Sequence, residues 1–214
     1  MLSITVAEII NTIIISIGIG VCGMSILQVS FGARLKKQVT MYFQLFFSMI
    51  LMYITCHLIR QFLEGNPSDA VGFWIRAVTF LEFVASGVMA WLFSLLTLYV
   101  SKSKNARQLN IVLLIFICCH VAVMVINLFT GLCYTYDEAN IYHRSGGYLF
   151  SNLFILIMLV VDIVLLIRYK DNFNAKIKPA FWLYIIAPIV AIVIQAFPEQ
   201  YSLLSLQQLL QLFI

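Results

Sequence analysis

The sequence predicts an all-α fold: a polytopic membrane bundle of seven helical spans, amino terminus outside and carboxyl terminus in the cytoplasm. Three observations carry that prediction. The 214-residue chain is 63% apolar and 10% charged, with a mean hydropathy of +1.01, whereas soluble domains are about 45–50% apolar and about 25% charged. Its apolar residues fall into blocks close to the roughly 20 residues that cross a hydrocarbon core. Its cations gather in alternate connections between those blocks. The composition excludes a secreted disulfide scaffold, a disordered tail and an ordinary cytosolic enzyme. The net charge of +4 has a topological origin, and nucleic acid is not an expected partner.

Taken in order, the spans cover residues 4–29, 39–61, 72–100, 108–130, 148–167 and 179–197. The first lacks a basic leader region and a small-residue cleavage site, so it reads as a retained span, not a signal peptide. Pro179 opens the sixth, where proline is expected, Phe181-Trp182 reads as an interfacial anchor, and Pro188 predicts a kink. A seventh run, residues 203–214, amounts to roughly 18 Å of helix at about 1.5 Å per residue, too short to cross alone. It is expected to be the first part of a helix that continues, which makes residues 1–214 the input domain of a longer chain; a re-entrant segment is the alternative.

Orientation follows from the charges. Arg34, Lys36 and Lys37, then Lys102, Lys104 and Arg107, then Arg168, Lys170, Lys176 and Lys178 occupy three alternate connections. Arg60, Arg76 and Arg144 lie toward the other side with Glu64, Asp69, Asp137, Glu138 and Glu199, while Asp171 is the acid of the inner connections. The excess of Lys and Arg marks the cytoplasmic side.

Polar groups at membrane depth are costly and face the bundle interior or a water-filled cavity. In the outer half the first span offers Glu8 and Asn11, the second His57, Arg60 and Gln61, and the third Arg76, Thr79, Glu82 and Ser86. Asn127, Ser151, Asn152 and Gln195 follow on the later spans. A place near the headgroups, where Arg60 and Arg76 snorkel and Glu8 is solvated, accounts for these three. It accounts poorly for Glu82, which lies about ten residues inside its span and needs a cation, a proton or a hydrogen-bonded cavity. Two readings therefore compete: a structural ion pair, and an outward-facing cup that binds a small polar ligand. For the cup, Glu82, Arg60 and Arg76 are the expected ligand contacts, with His57, Glu8 and Asn152 secondary. In the inner half Asp162 is expected to pair with nearby cations such as Arg168, with a proton relay as the alternative.

Several classes are set aside. No catalytic residues, cofactor or metal site are expected. His120 has no second histidine or carboxylate one turn away and reads as hydrogen-bonded to a neighbouring helix. The five cysteines show no metal spacing and read as buried apolar side chains. The spans hold no lysine for a retinal Schiff base, and the third span ends Leu98-Tyr99-Val100-Ser101-Lys102, without the charged triplet of animal G-protein-coupled receptors. The connection 131–147, rich in Tyr and charge, is expected either to cap the cup or to lie at the interface, with Gly146-Gly147 as a flexible exit.

Two stretches carry a family resemblance. One runs from Met41 through Arg60-Gln61-Phe62-Leu63-Glu64-Gly65-Asn66-Pro67 and Phe80-Leu81-Glu82-Phe83-Val84-Ala85-Ser86 to Leu96-Thr97-Leu98-Tyr99-Val100. The other is Tyr136-Asp137-Glu138-Ala139-Asn140-Ile141-Tyr142-His143-Arg144. Together they resemble the amino-terminal seven-transmembrane sensory regions of bacterial signalling receptors of the diguanylate cyclase and histidine kinase type, especially those of anaerobic Gram-positive bacteria. The resemblance implies a sensor in the bacterial cytoplasmic membrane. Its seventh helix would run into a cytoplasmic output domain, and its partners would be a small-molecule ligand and the lipid bilayer. A homodimer is compatible with that reading, with Gly18 and Cys22 as the small-residue pair. A small transporter of polar solutes is the alternative, and a ligand-free membrane scaffold is a third reading.

Overall fold

The computed structural model describes residues 6–32, 37–173, 175 and 178–196. Six helices follow the first six apolar runs: α1 (Val6–Leu27), α2 (Lys37–Leu63), α3 (Asp69–Ser101), α4 (Ala106–Thr130), α5 (Tyr148–Arg168) and α6 (Lys178–Ala196). A π-helical turn, Gln28–Gly32, extends α1, and a 3-10 turn, Lys170–Asn172, follows α5. Helices α2 to α5 are long and apolar enough to cross a membrane. The molecule is thus a helical bundle of membrane-protein type. The seventh run lies outside the described residues.

Backbone geometry explains where the helices stop. Helix α3 ends on Lys102 in the left-handed region (φ 50°). Helix α4 ends on Gly131 (φ 63°), whose N–H bonds Asn127 O at 2.9 Å, so a left-handed residue closes each last turn. Burial on α4 is a single stripe, Leu113, Ile117, His120, Met124 and Asn127, at helical spacing. The remaining faces expose Ile111, Ile115, Ile126 and Phe129. A stripe of core with apolar residues all round is the pattern of a helix that faces lipid.

Helix α3 is the hub. It packs against α2, α4 and α5, and α1 packs on α2. In the last third of α3, Phe93 stacks on Tyr184 of α6 at a ring separation of 3.8 Å and meets Phe181 at 5.2 Å and Phe46 of α2 at 6.4 Å. These rings join a core containing Leu96, Leu113, Met158 and Ile185.

The structure corrects the sequence-based picture in three places. The connection 131–147 is an antiparallel hairpin, β1 (Tyr134–Tyr136) and β2 (Tyr142–Arg144), with Tyr136 opposite Tyr142. Its exit is held, not loose: Gly147 N–H bonds Leu132 O at 3.1 Å, and a Cβ at Gly147 would stand 2.6 Å from that oxygen. Cys22 is buried within the chain, and Gly18 faces Ile54 of α2, so the pair meant for a dimer serves packing inside one chain. Asp162 is fully buried and accepts a hydrogen bond from Ser94 Oγ at 2.8 Å. It pairs with no cation among the described residues, because its side chain turns toward α3 and away from the helix end that carries Arg168.

Candidate functional site: a cavity beneath the hairpin

Three side chains from two helices meet at the hairpin end of the bundle. Arg60 Nε donates to Glu82 Oε2 at 3.0 Å, and His57 Nδ1 lies 2.9 Å from Glu82 Oε1. Residues 57 and 60 share a face of α2 because they stand three apart. Glu82 is buried, at 7% exposure, so its charge is compensated by donors and not by water. Arg60 Nη2 also lies 3.0 Å from His57 Nδ1. A single ring nitrogen either donates or accepts. The carboxylate favours a proton on Nδ1, since Glu82 then receives two charge-assisted bonds, and the Arg60–His57 approach is left without a hydrogen bond. Arg60 stands three residues from the end of α2, so Glu82 lies level with the last turns of α2. The first turns of α3 project beyond, and the hairpin packs on them.

The hairpin is anchored to the α2–α3 turn, to α3 and to α4. Tyr142 N–H donates to Glu64 Oε1 at 2.9 Å, and Asn140 Nδ2 donates to Asn66 O at 2.8 Å. Thr79 Oγ1 bonds the Tyr136 hydroxyl at 2.6 Å. Asn127 Oδ1 accepts from the backbone N–H of Cys133 and Tyr134, and Tyr134 stacks on Phe83 at 5.1 Å. Within the turn, Asp137 Oδ1 accepts from the N–H groups of Ala139 and Ile141, while Oδ2 bonds His143 Nε2 at 3.0 Å. The bond from His143 is the main reason that the Asp137 carboxyl is held below its usual range, and the backbone donors add to it. Burial pushes the Tyr142 phenol up.

Under this cap lies a cavity of about 390 Å³. Helix α2 contributes Tyr53, His57 and Arg60; α3 contributes Glu82, Phe83, Ser86, Met89 and Ala90. Tyr142 and Arg144 enter from β2, Tyr148, Asn152, Ile155 and Leu159 from α5, and Tyr184 and Pro188 from α6. The rim is charged and aromatic, with Arg60 5.1 Å from the Tyr142 ring centre and Arg144 4.7 Å from that of Tyr148. The deeper wall is mostly apolar. Asn152 lies on this wall beside Tyr148.

Of the expected contacts, Glu82, Arg60, His57 and Asn152 converge on the cavity wall. Arg76 is not part of that wall: it is exposed, bonds Gly72 O at 3.0 Å and sits 5.9 Å from the Tyr136 ring centre. Glu8 lies on α1, and its side chain, like that of Gln195, lies outside the described residues. Sequence reading missed Tyr53, Met89, Tyr184 and Pro188 as wall residues. Their signal was helical spacing: Tyr53, His57 and Arg60 form one stripe, as do Tyr184 and Pro188. His120 bonds Phe83 O at 2.9 Å, the neighbouring-helix bond expected of it. Cys22, Cys56 and Cys133 are buried, Cys119 is half-buried and Cys118 exposed, and all five are free.

Among the described residues no group of three or more His, Cys, Asp or Glu side chains is placed to hold a metal ion. Comparison with known protein families, with curated proteins and with solved structures finds no match to this chain.

Proposed function

We propose that this chain is the ligand-binding domain of a multi-pass membrane sensor. It has seven spans, its amino terminus outside, and its ligand site open to the outer face of a bacterial cytoplasmic membrane. The observation that carries the proposal is the cavity beneath the hairpin, with a buried carboxylate bridged to Arg60 and His57 on its wall. Pockets of this size with a few convergent polar groups are the usual form of a small-molecule site. The outward sense rests on the clustering of Lys and Arg at the other end of the bundle.

Binding alters signalling if the ligand prefers one arrangement of the wall over another. The wall joins α2 and α3 to α5 and α6, so a ligand there biases the packing of the sixth helix and, through it, a seventh helix leading to a cytoplasmic output module. The segment binds and does not catalyse. Below the cavity, Ala90, Ile155 and Leu159 merge with the core around Phe93 and Met158. That packed floor favours a sensor over a transporter.

The test is side-specific labelling of Ser86→Cys with a small, charged, membrane-impermeant thiol reagent, the modified position being mapped by mass. Labelling at position 86 in intact cells is the expected result. Labelling only in inside-out vesicles, or none from either side, overturns the proposal.

A further inference from the structure

We infer that the cavity takes a compact neutral amphiphile whose polar end donates a hydrogen bond to the wall: a phenol or alcohol on an apolar body. The inference rests on the cavity being a ligand site and adds the class of ligand. Size comes first. At about 30 Å³ per water, the 390 Å³ of space corresponds to roughly thirteen waters, and so to about a dozen heavy atoms of ligand.

Charge comes second. No charged side chain on the wall lacks a partner. Glu82 is held by Arg60 and His57, and Arg60 also lies over Tyr142. Arg144 lies over Tyr148 and has a partner of its own in the protein. Asn152 turns its amide to the Tyr148 phenol. A charged ligand would give up its water shell for a wall with no unmatched counter-charge, at a large desolvation cost. A neutral ligand avoids that cost.

Hydrogen-bonding sense comes third. Glu82 takes the proton on His57 Nδ1, which leaves Nε2 of the neutral ring an acceptor. The ring lies parallel to that of Tyr53 at 6.4 Å, and both close polar approaches to it are made at Nδ1. The side chain keeps 31% exposure on the cavity wall, so Nε2 is the open polar atom of the ring. One turn below Glu82, Ser86 Oγ spends its proton on Phe83 O at 2.7 Å, and toward the cavity it too accepts. Two acceptors side by side call for a donor on the ligand.

Distribution comes last. The polar groups gather at the hairpin end, while Met89, Ala90, Ile155, Leu159 and Pro188 form the deeper wall. A ligand polar all round would leave its groups facing that wall without partners, which is costly. A ligand with a donor head and an apolar body satisfies both zones. The head sits beside His57 and Ser86, and the body reaches toward Leu159.

Equilibrium binding of radiolabelled 4-butylphenol to the full chain in nanodiscs, with binding to empty nanodiscs subtracted, tests the class. Competitors are 4-butylanisole, which lacks the donor, 4-butylbenzoate and 4-butylbenzylamine, which carry opposite charges, and monoolein, a neutral hydroxyl lipid that a bilayer could supply. Expected is saturable binding in which the phenol outcompetes the anisole by about fivefold to tenfold, the scale of one neutral hydrogen bond, and both charged analogues by at least as much. His57→Asn keeps an N–H for Glu82 but removes the Nε2 acceptor, and should erase the preference for phenol over anisole. Ser86→Ala leaves the Glu82 cluster intact and should narrow that preference. An anisole that competes as well as the phenol overturns the inference, as does a charged analogue that binds more tightly, a full preference retained in both variants, or absence of saturable binding. Monoolein binding more tightly than 4-butylphenol overturns the compact size and points to a lipid source. Labelling at position 86 separates the two levels of failure: if it occurs from outside, the cavity stands and only the ligand class falls.

Discussion

Glu82 shows how a single residue gathers structure around it. Its carboxylate is buried and receives Arg60 and His57 from α2, and Arg60 in turn lies over Tyr142 of the hairpin. Truncating one partner of a buried pair leaves the other charge uncompensated, at about 3–5 kcal/mol, whereas replacing both is far milder. Arg60 keeps 17% of its side chain exposed, so the low end, about 3 kcal/mol, is expected for Glu82→Ala. The double variant Arg60→Met/Glu82→Leu should be less destabilised than the sum of the single ones by more than about 1 kcal/mol. Denaturant unfolding of the four proteins in bicelles measures this, and simple additivity would refute the coupling. At this scale the sequence was legible for Glu82, Arg60 and His57, because charge at membrane depth demands partners. It misled for Arg76. At about 100° per residue, residue 76 stands roughly 120° around α3 from residue 82, so a shared depth did not give a shared face.

The hairpin illustrates what short elements hide. Strands of three residues, Tyr-Thr-Tyr and Tyr-His-Arg, are too brief to show alternation, and their stability comes from bonds to the α2–α3 turn and to α4. Its tip depends on Asp137. Because hydrogen bonding to His143 and to backbone N–H groups lowers this carboxyl in the folded state, its contribution is present above the unfolded value of about 4. That contribution is lost as pH falls through the folded value. The amides of Ala139 and Ile141 should therefore stay protected from neutral pH down to about 5 and lose protection below about 4. Asp137→Asn should remove that acid transition. Hydrogen exchange corrected for its intrinsic pH dependence decides it, and an unchanged transition in the variant would assign the transition to another group.

For the whole molecule, the hub position of α3 and the peripheral position of α1 predict opposite signs for one chemical change. A Cβ at Gly87 of α3 would stand 2.5 Å from the His120 ring and 2.7 Å from Ile117, and that ring is tied to Phe83 O. Gly87→Ala should destabilise by about 1–3 kcal/mol. A Cβ at Gly23 of α1 meets nothing within 4 Å, so Gly23→Ala should stabilise by about 0.5–1 kcal/mol through helix propensity alone. Thermal unfolding of both variants checks the contrast; equal shifts would remove α3 from its central role. The sequence by itself determined the helical bundle and the positions of six helices to within a few residues, because hydrophobic length and polar breaks are local properties that a bilayer enforces. Only the tertiary structure decided which helix is central, which polar groups share a wall, that Asp162 bonds Ser94, and that a hairpin closes the cavity. Those outcomes depend on the rotation of each helix about its axis and on contacts between residues far apart in the chain. The apolar spans leave that rotation unmarked, because core and lipid select the same side chains.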